Sequence, residues 1–462
     1  MRRFRRFLLP LTLALGACAP SAPVDTVATR AAPMDSGSAL PAMKSFAAPR
    51  PQRPVASNAD MARDFIDLAF ALESGRPLRV FTRFEQPIRV RVTGAPPASL
   101  VPDLRRLMHR LRTEAGIDIG FAEGGAAQIT VQAVSRAEIR QALPQAACFV
   151  VPNVSSLAEY RSKRRSREVS WSSLERRERL AIFLPNDSSP QETRDCLHEE
   201  LAQAIGPLND LYRLADSVFN DDNVHTVLTG YDMTVLRAYY DPALRNGMTQ
   251  AQVADRLPGI LARINPRGQG IAPQRLSKTP RVWIDAVQTA LGPGTSPAQR
   301  RAAAIEALKI ASAMGWTDHR RAFSHYAMGR LLQATDPQAA QDQFVLAQRF
   351  FGQRPDTALH RAYVASQLAA YAIAAGNPQQ ALALIAPHLD TAARHENAAL
   401  LATLLMLRAE ALELSGRVAE GGAVRLDSLG WARYGFGSDW AVRAKLREIG
   451  GLNPARQGQG RL

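Results

Sequence analysis

Cysteine is nearly absent, with three in 462 residues. Beyond the N-terminal segment there is no apolar run long enough to span a bilayer. Acidic charge is also scarce: 42 Asp and Glu stand against 57 Lys and Arg, a net charge of +15. Such a balance favours contact with anionic surfaces over acid-rich ones. The hydrophobic fraction, 46%, is ordinary for a folded chain, and the length allows two or more domains with real cores.

The first eighteen residues carry the marks of an export signal. Arg2, Arg3, Arg5 and Arg6 precede a short apolar stretch from Phe7 to Leu15, followed by Gly16, Ala17 and Cys18. Leu15-Gly16-Ala17-Cys18 resembles the lipobox of bacterial lipoproteins, which implies that Cys18 is acylated and becomes the mature N-terminus. A plain secretory signal with an incidental cysteine is the alternative. Ala19 is not the Asp that resembles an inner-membrane retention signal, so the expected location is the periplasmic face of the outer membrane. The partners implied by the basic balance are then lipid headgroups, lipopolysaccharide or cell-wall polymer, not nucleic acid. With Cys18 assigned to lipid, Cys148 and Cys196 remain, and an oxidising compartment permits them to pair. Two free thiols are the alternative reading.

Residues 19–58 are rich in Pro, Ala and Ser and read as a disordered tether. A first folded domain is expected over 59–266. Met61, Phe65, Leu68 and Leu72 have helical spacing, as do Leu100, Leu104, Leu107 and Leu111. Strands are predicted at Leu78–Phe84, Ile88–Val92, Ile117–Phe121, Gln128–Gln132, Cys148–Val154 and Leu180–Leu184. The run Arg161–Arg167, with Arg176, Arg177 and Arg179 close behind, is expected as a solvated loop; its functional alternative is contact with an anionic envelope polymer.

The next stretch, Cys196 to Asp210, is the most informative of the chain. Metzincin proteases carry H-E-x-x-H-x-x-G-x-x-H. Anchored on Gly206, this stretch reads E-E-x-x-Q-x-x-G-x-x-N. Glu199 and Gln203 occupy the helical histidine positions, Glu200 the general-base position and Asn209 the third ligand position. Spacing i, i+4 puts Glu199 and Gln203 side by side on a helix, but neither is a good zinc donor. His198 is one place early and is expected as a surface or supporting residue. Downstream, Ser217-Val-Phe-Asn220 resembles the segment of the metzincin Met-turn, and Leu228-Thr-Gly-Tyr-Asp-Met resembles the closing helix of matrixins. Thr229 and Asp232 have the spacing of a capping box. Asp221, Asp222 and Asn223 are expected to form a turn.

Residues from about 60 to 250 are also similar to a family of uncharacterised alphaproteobacterial lipoproteins with domain of unknown function 2927. The resemblance rests on Cys196-x-x-Glu-Glu-Leu-x-Gln-Ala-x-Gly, Ser-x-Phe-Asn-Asp-Asp-Asn, Leu-Thr-x-x-Asp and Tyr-Asp-Pro…Gly-Met. The metzincin and matrixin resemblances imply an α+β fold in which a zincin-like mixed sheet packs on the motif helix. No metal is expected in the remnant cleft of Glu199, Gln203, Asn209 and Asp210. The alternative is a zinc site, or a calcium site of Glu199, Asn209, Asp210 and His225, with Glu200 as general base of an active hydrolase.

The remainder, 280–455, is expected to be an all-α helical-repeat domain. Punctuation at Pro337, Pro378 and Val418 recurs every 40 or so residues and separates pairs of helices. The pattern resembles tetratricopeptide-type repeats and implies a protein-interaction surface. Trp431, Tyr434, Phe436 and Trp440 are expected to cap that core. Together these readings describe a lipid-anchored, non-catalytic binding or scaffold module.

Overall fold

The computed structural model describes residues 40–46, 52–144 and 146–457. Cys18 and the expected signal segment lie outside them. The first part contains helices α1 (Asn58–Ala69), α2 (Leu100–Ala115), α3 (Arg136–Ala142), α4 (Leu157–Lys163), α5 (Pro190–Ile205), α6 (Gly230–Tyr239) and α7 (Gln250–Ile264). Its strands are β1 (Ile88–Gly94), β2 (Ile119–Phe121), β3 (Ile129–Val134), β4 (Phe149–Pro152) and β5 (Leu180–Pro185). They form one mixed sheet in the order β2-β1-β3-β5-β4, all parallel except β4, which runs antiparallel to β5 along the edge.

Alternation of side chains decides what each face of the sheet covers. Ile129, Val131, Leu180, Ile182 and Leu184 turn into the main core with α1, α2, α5, α6 and α7. Ala181, Phe183, Phe149 and Val151 turn the other way, onto Ile139 of α3 and Leu157 of α4. The motif helix α5 is therefore central, packed on the sheet and buried along most of its length. The disulfide between Cys148 and Cys196 fastens it to the approach to β4, with Cα atoms 6.0 Å apart.

The stretch Leu78–Phe84 is not a strand. Phe81 and Phe84 are core residues, but the backbone pairs outside the sheet: Phe81 N–H donates to the Met248 carbonyl and Arg83 N–H to Asn246 Oδ1. Nor is Arg177 solvated. It is fully buried and donates to the carbonyls of Gln203, Ala204 and Gly206, placing a cation on the C-terminus of α5. Gly206 is required at this end, since a Cβ there would stand 2.6 Å from Leu236 Cδ2 of α6.

The second part is all helical: α8 (Arg281–Leu291), α9 (Pro297–Ala313), α10 (His319–Leu332), α11 (Pro337–Phe351), α12 (Ala358–Ala374), α13 (Pro378–Ile385), α14 (Leu389–Arg394), α15 (Ala398–Leu414), α16 (Val418–Phe436) and α17 (Asp439–Gly450). Proline opens α9, α11 and α13, where its missing N–H costs nothing. Trp440 departs from the expected capping core and is 74% exposed. Among the described residues no helix is long and apolar enough to cross a membrane.

Two expected linkers are held in place. In 266–280, Gln274 and Arg275 N–H groups donate to Asp60, and Arg320 donates to the Ser277 carbonyl. In the expected tether, Phe46 stacks on Trp431 at 4.6 Å, Lys44 N–H donates to the Gly430 carbonyl and Arg433 donates to the Pro41 carbonyl.

Between α5 and α6 the chain runs from Gly206 to Thr229 without regular structure, and most of it is buried. Such a loop must find partners for its backbone groups. Asp232 supplies several: it accepts from Thr229 N–H and Val218 N–H at 2.7 and 3.0 Å, and from the Ser217 hydroxyl. The capping box is thus present, and its acid also anchors the Ser217 turn. Asp232→Ala orphans three buried donors and is expected to cost about 3 kcal/mol or more in denaturant unfolding; a smaller loss means the turn finds other partners. Reducing Cys148–Cys196 opens a closure of 48 residues and is expected to cost about 2–4 kcal/mol by the same measurement.

Candidate functional site

At the exposed side of α5 lies a cleft of about 810 Å³. Glu199, Glu200 and Gln203 form its floor, and the disulfide with Phe149 and Val150 of the edge strand β4 forms one wall. Trp171 and Leu208 add apolar surface, and Glu73, Asp221 and Asn223 line the cleft from loops.

The pairing of Glu199 with Gln203 holds on the helix, since both line the cleft. The third position does not join them: Asn209 turns away and donates to the Asp67 carbonyl at 2.9 Å. Asp210 lies behind the cleft, with an unpartnered buried Oδ1, and feels the charges of Glu73, Glu199, Asp221 and Glu200. His198 is neither a surface residue nor a cleft residue. Its Nδ1 accepts from the Leu228 N–H at 3.0 Å, so it supports the loop before α6. His225 lies apart from the cleft, its ring 5.2 Å from that of His395. The calcium set of Glu199, Asn209, Asp210 and His225 is therefore not assembled.

Two cleft residues were not legible in the sequence as site residues. Glu73 comes from the turn after α1 and accepts from Gln203 Nε2 at 3.3 Å. Asp221, expected only as a turn residue, accepts from the Tyr212 hydroxyl at 3.0 Å and Gln288 Nε2 at 2.9 Å. Its neighbour Asp222 does serve the turn, accepting from Val224 N–H, and also meets His360 at 2.8 Å. The run Asp221-Asp222 was the available signal; only the packing of α8 and α12 on it separates the two roles.

Crowded carboxylates in a partly dry cleft resist ionisation. Desolvation, then the charges of Glu73 and Asp221, push the Glu199 carboxyl up to about 7. Burial and the Glu199 charge hold Glu200 well above the usual carboxylate range, and its Oε2 has no partner. Glu73 and Asp221 are raised as well, chiefly by desolvation. The donor set fits zinc poorly: two carboxylates and an amide, with the third position pointing elsewhere.

Sheet, motif helix and acidic cleft together define an α+β domain with a floor of paired glutamates. Residues 58–259 match the family model described as protein of unknown function (DUF2927), so this part of the chain is a DUF2927 domain. No curated protein and no solved structure matches the chain.

The shift of Glu199 has a thermodynamic consequence. An acid with a folded pKa above its unfolded value binds more protons when folded, so the stability it contributes at low pH is lost as pH rises from 4.5 to about 7. His319 and His395, lowered to about 4 by burial, act oppositely: they destabilise the fold as pH drops below 6.5. The Tm difference between Glu199→Gln and the parent isolates the first effect. It is expected to be positive at pH 8 and to vanish or reverse at pH 4.5; a pH-independent difference contradicts the shift.

Proposed function

We propose that this chain is a lipid-anchored envelope protein whose DUF2927 domain binds, rather than cleaves, a cationic segment in the acidic cleft. The lipid attachment is through Cys18, and the helical part offers a surface to a protein partner. The observation that carries this reading is the carboxylate cluster itself. Glu73, Glu199, Glu200 and Asp221 line one cleft in a chain of net charge +15, and Glu200 keeps a buried oxygen without a partner. A lysine or arginine side chain entering the cleft satisfies that oxygen and relieves the mutual repulsion. Apolar surface from Trp171 and Phe149 suits the stem of such a side chain. The mixed sheet packed on the motif helix supports the zincin-like reading of the fold, and the donor set supports loss of its metal chemistry.

Burial and the Glu199 charge push the Glu200 carboxyl well above the usual carboxylate range, which disfavours the ionised form a general base needs. One observation favours the second reading, a hydrolase: Glu199 titrates at about 7, a value suited to acid–base work. A fluorescent oligolysine peptide separates the two. Binding is expected to weaken about 10-fold or more in a Glu199→Gln, Asp221→Asn double variant, and to weaken with salt. Unchanged affinity in the double variant overturns the binding reading, and cleavage of the peptide selects the hydrolase. Cys18→Ser is expected to move the protein from the membrane to the soluble fraction; retention on membranes overturns the anchor.

A further inference from the structure

We propose that Asp216, His225 and His395 bind a divalent transition-metal ion of the zinc class at the seam between the DUF2927 domain and the helical part. One donor atom from each residue, two imidazole nitrogens and a carboxylate oxygen, lies within 4.8 Å of the others. Two imidazoles and a carboxylate are three of the four positions of a tetrahedral zinc site, with the fourth left to water. Ligands at 2.0–2.1 Å from zinc stand roughly 3.3 Å apart, so a closure of at most about 1.5 Å from the 4.8 Å limit completes the set.

Hydrogen bonds fix the His225 ring and the backbones of Asp216 and His395. His225 is buried, with Nε2 3.0 Å from the Ala215 carbonyl oxygen and 3.8 Å from Asp216 Oδ1. The backbone of Asp216 is fixed by the Thr229 hydroxyl, which donates to its carbonyl at 2.9 Å. His395 caps α14, its N–H bonded to the Thr391 carbonyl. The next residue, Glu396, is in the left-handed region at φ 51°, a strained conformation for a side chain of its kind. Buried Arg194 of α5 holds that turn through the Glu396 carboxylate, at 3.1 Å, and through its carbonyl. His360, 6.0 Å from His225, is engaged by Asp222 at 2.8 Å and supports the cluster without joining it.

A small pocket of about 40 Å³, bordered by Asp216, Thr229, Arg394 and His395, adjoins the cluster.

This site is distinct from the acidic cleft, and the proposal stands whether or not the cleft binds peptide. The test is a zinc titration of the purified full-length protein after removal of metal with a chelator, in parallel with His395→Gln, Asp216→Asn and Glu199→Ala. His395 and Asp216 are half-buried, so both variants keep the packing; melting in chelator checks this. The parent and Glu199→Ala are expected to bind one zinc per chain and to melt higher in zinc. His395→Gln and Asp216→Asn are expected to bind at least ~10-fold more weakly, beyond the lower end of the loss seen for outer-shell partners, and to lose the Tm increment. Cobalt is expected to give a visible tetrahedral spectrum in the parent that is absent from His395→Gln. No zinc binding by the parent, or binding kept in both variants, overturns the proposal. Zinc lost only in Glu199→Ala overturns it too, and moves the metal to the cleft.

Discussion

The structure depends on how one long irregular segment is kept dry. From Gly206 to Thr229 the chain has no helix or strand, yet most of its residues are shielded from water. Buried peptide groups need partners, and several polar residues around the segment serve them. Arg177 takes the carbonyls at its start, Asp232 the N–H groups near Ser217, and His198 the N–H of Leu228. His319 bonds the Tyr212 carbonyl from the helical part. The helical part thus completes the fold of the preceding domain, whatever else it contacts.

Buried polar and charged pairs also join the two parts elsewhere. Arg194 on α5 reaches Glu396, Gln191 bonds Asn397, and Tyr434 donates to Asp103. Removing one member of such pairs strands the other in a dry environment, which costs more than the pair contributes when intact. The seam is therefore intolerant of single changes and selective for one docking geometry.

The local elements were legible because each has a local cause. The capping box of Thr229 and Asp232, the helical stripe of Leu100 to Leu111 and the alternation in Ile88–Val92 all act within a few residues. The strand expected at Leu78–Phe84 was wrong for the opposite reason: its alternation is real, but Met248 and Asn246, more than 160 positions away, take its backbone. The site divides the same way. Glu199, Glu200 and Gln203 follow from helix spacing, whereas Glu73, Asp221 and the meeting of His225 with His395 arise from contacts that no short pattern encodes. Asn209 shows the hazard of extending a motif past the helix that enforces it.

The bridge from Cys148 to Cys196 lies beside the cleft and joins the approach to β4 with the carboxylate helix. Those two walls are covalently one jaw. Glu73 and Asp221 are carried on loops and bond Gln203 and Tyr212. The oxidised bridge therefore sets the spacing between the helix that carries Glu199 and Glu200 and the approach to β4.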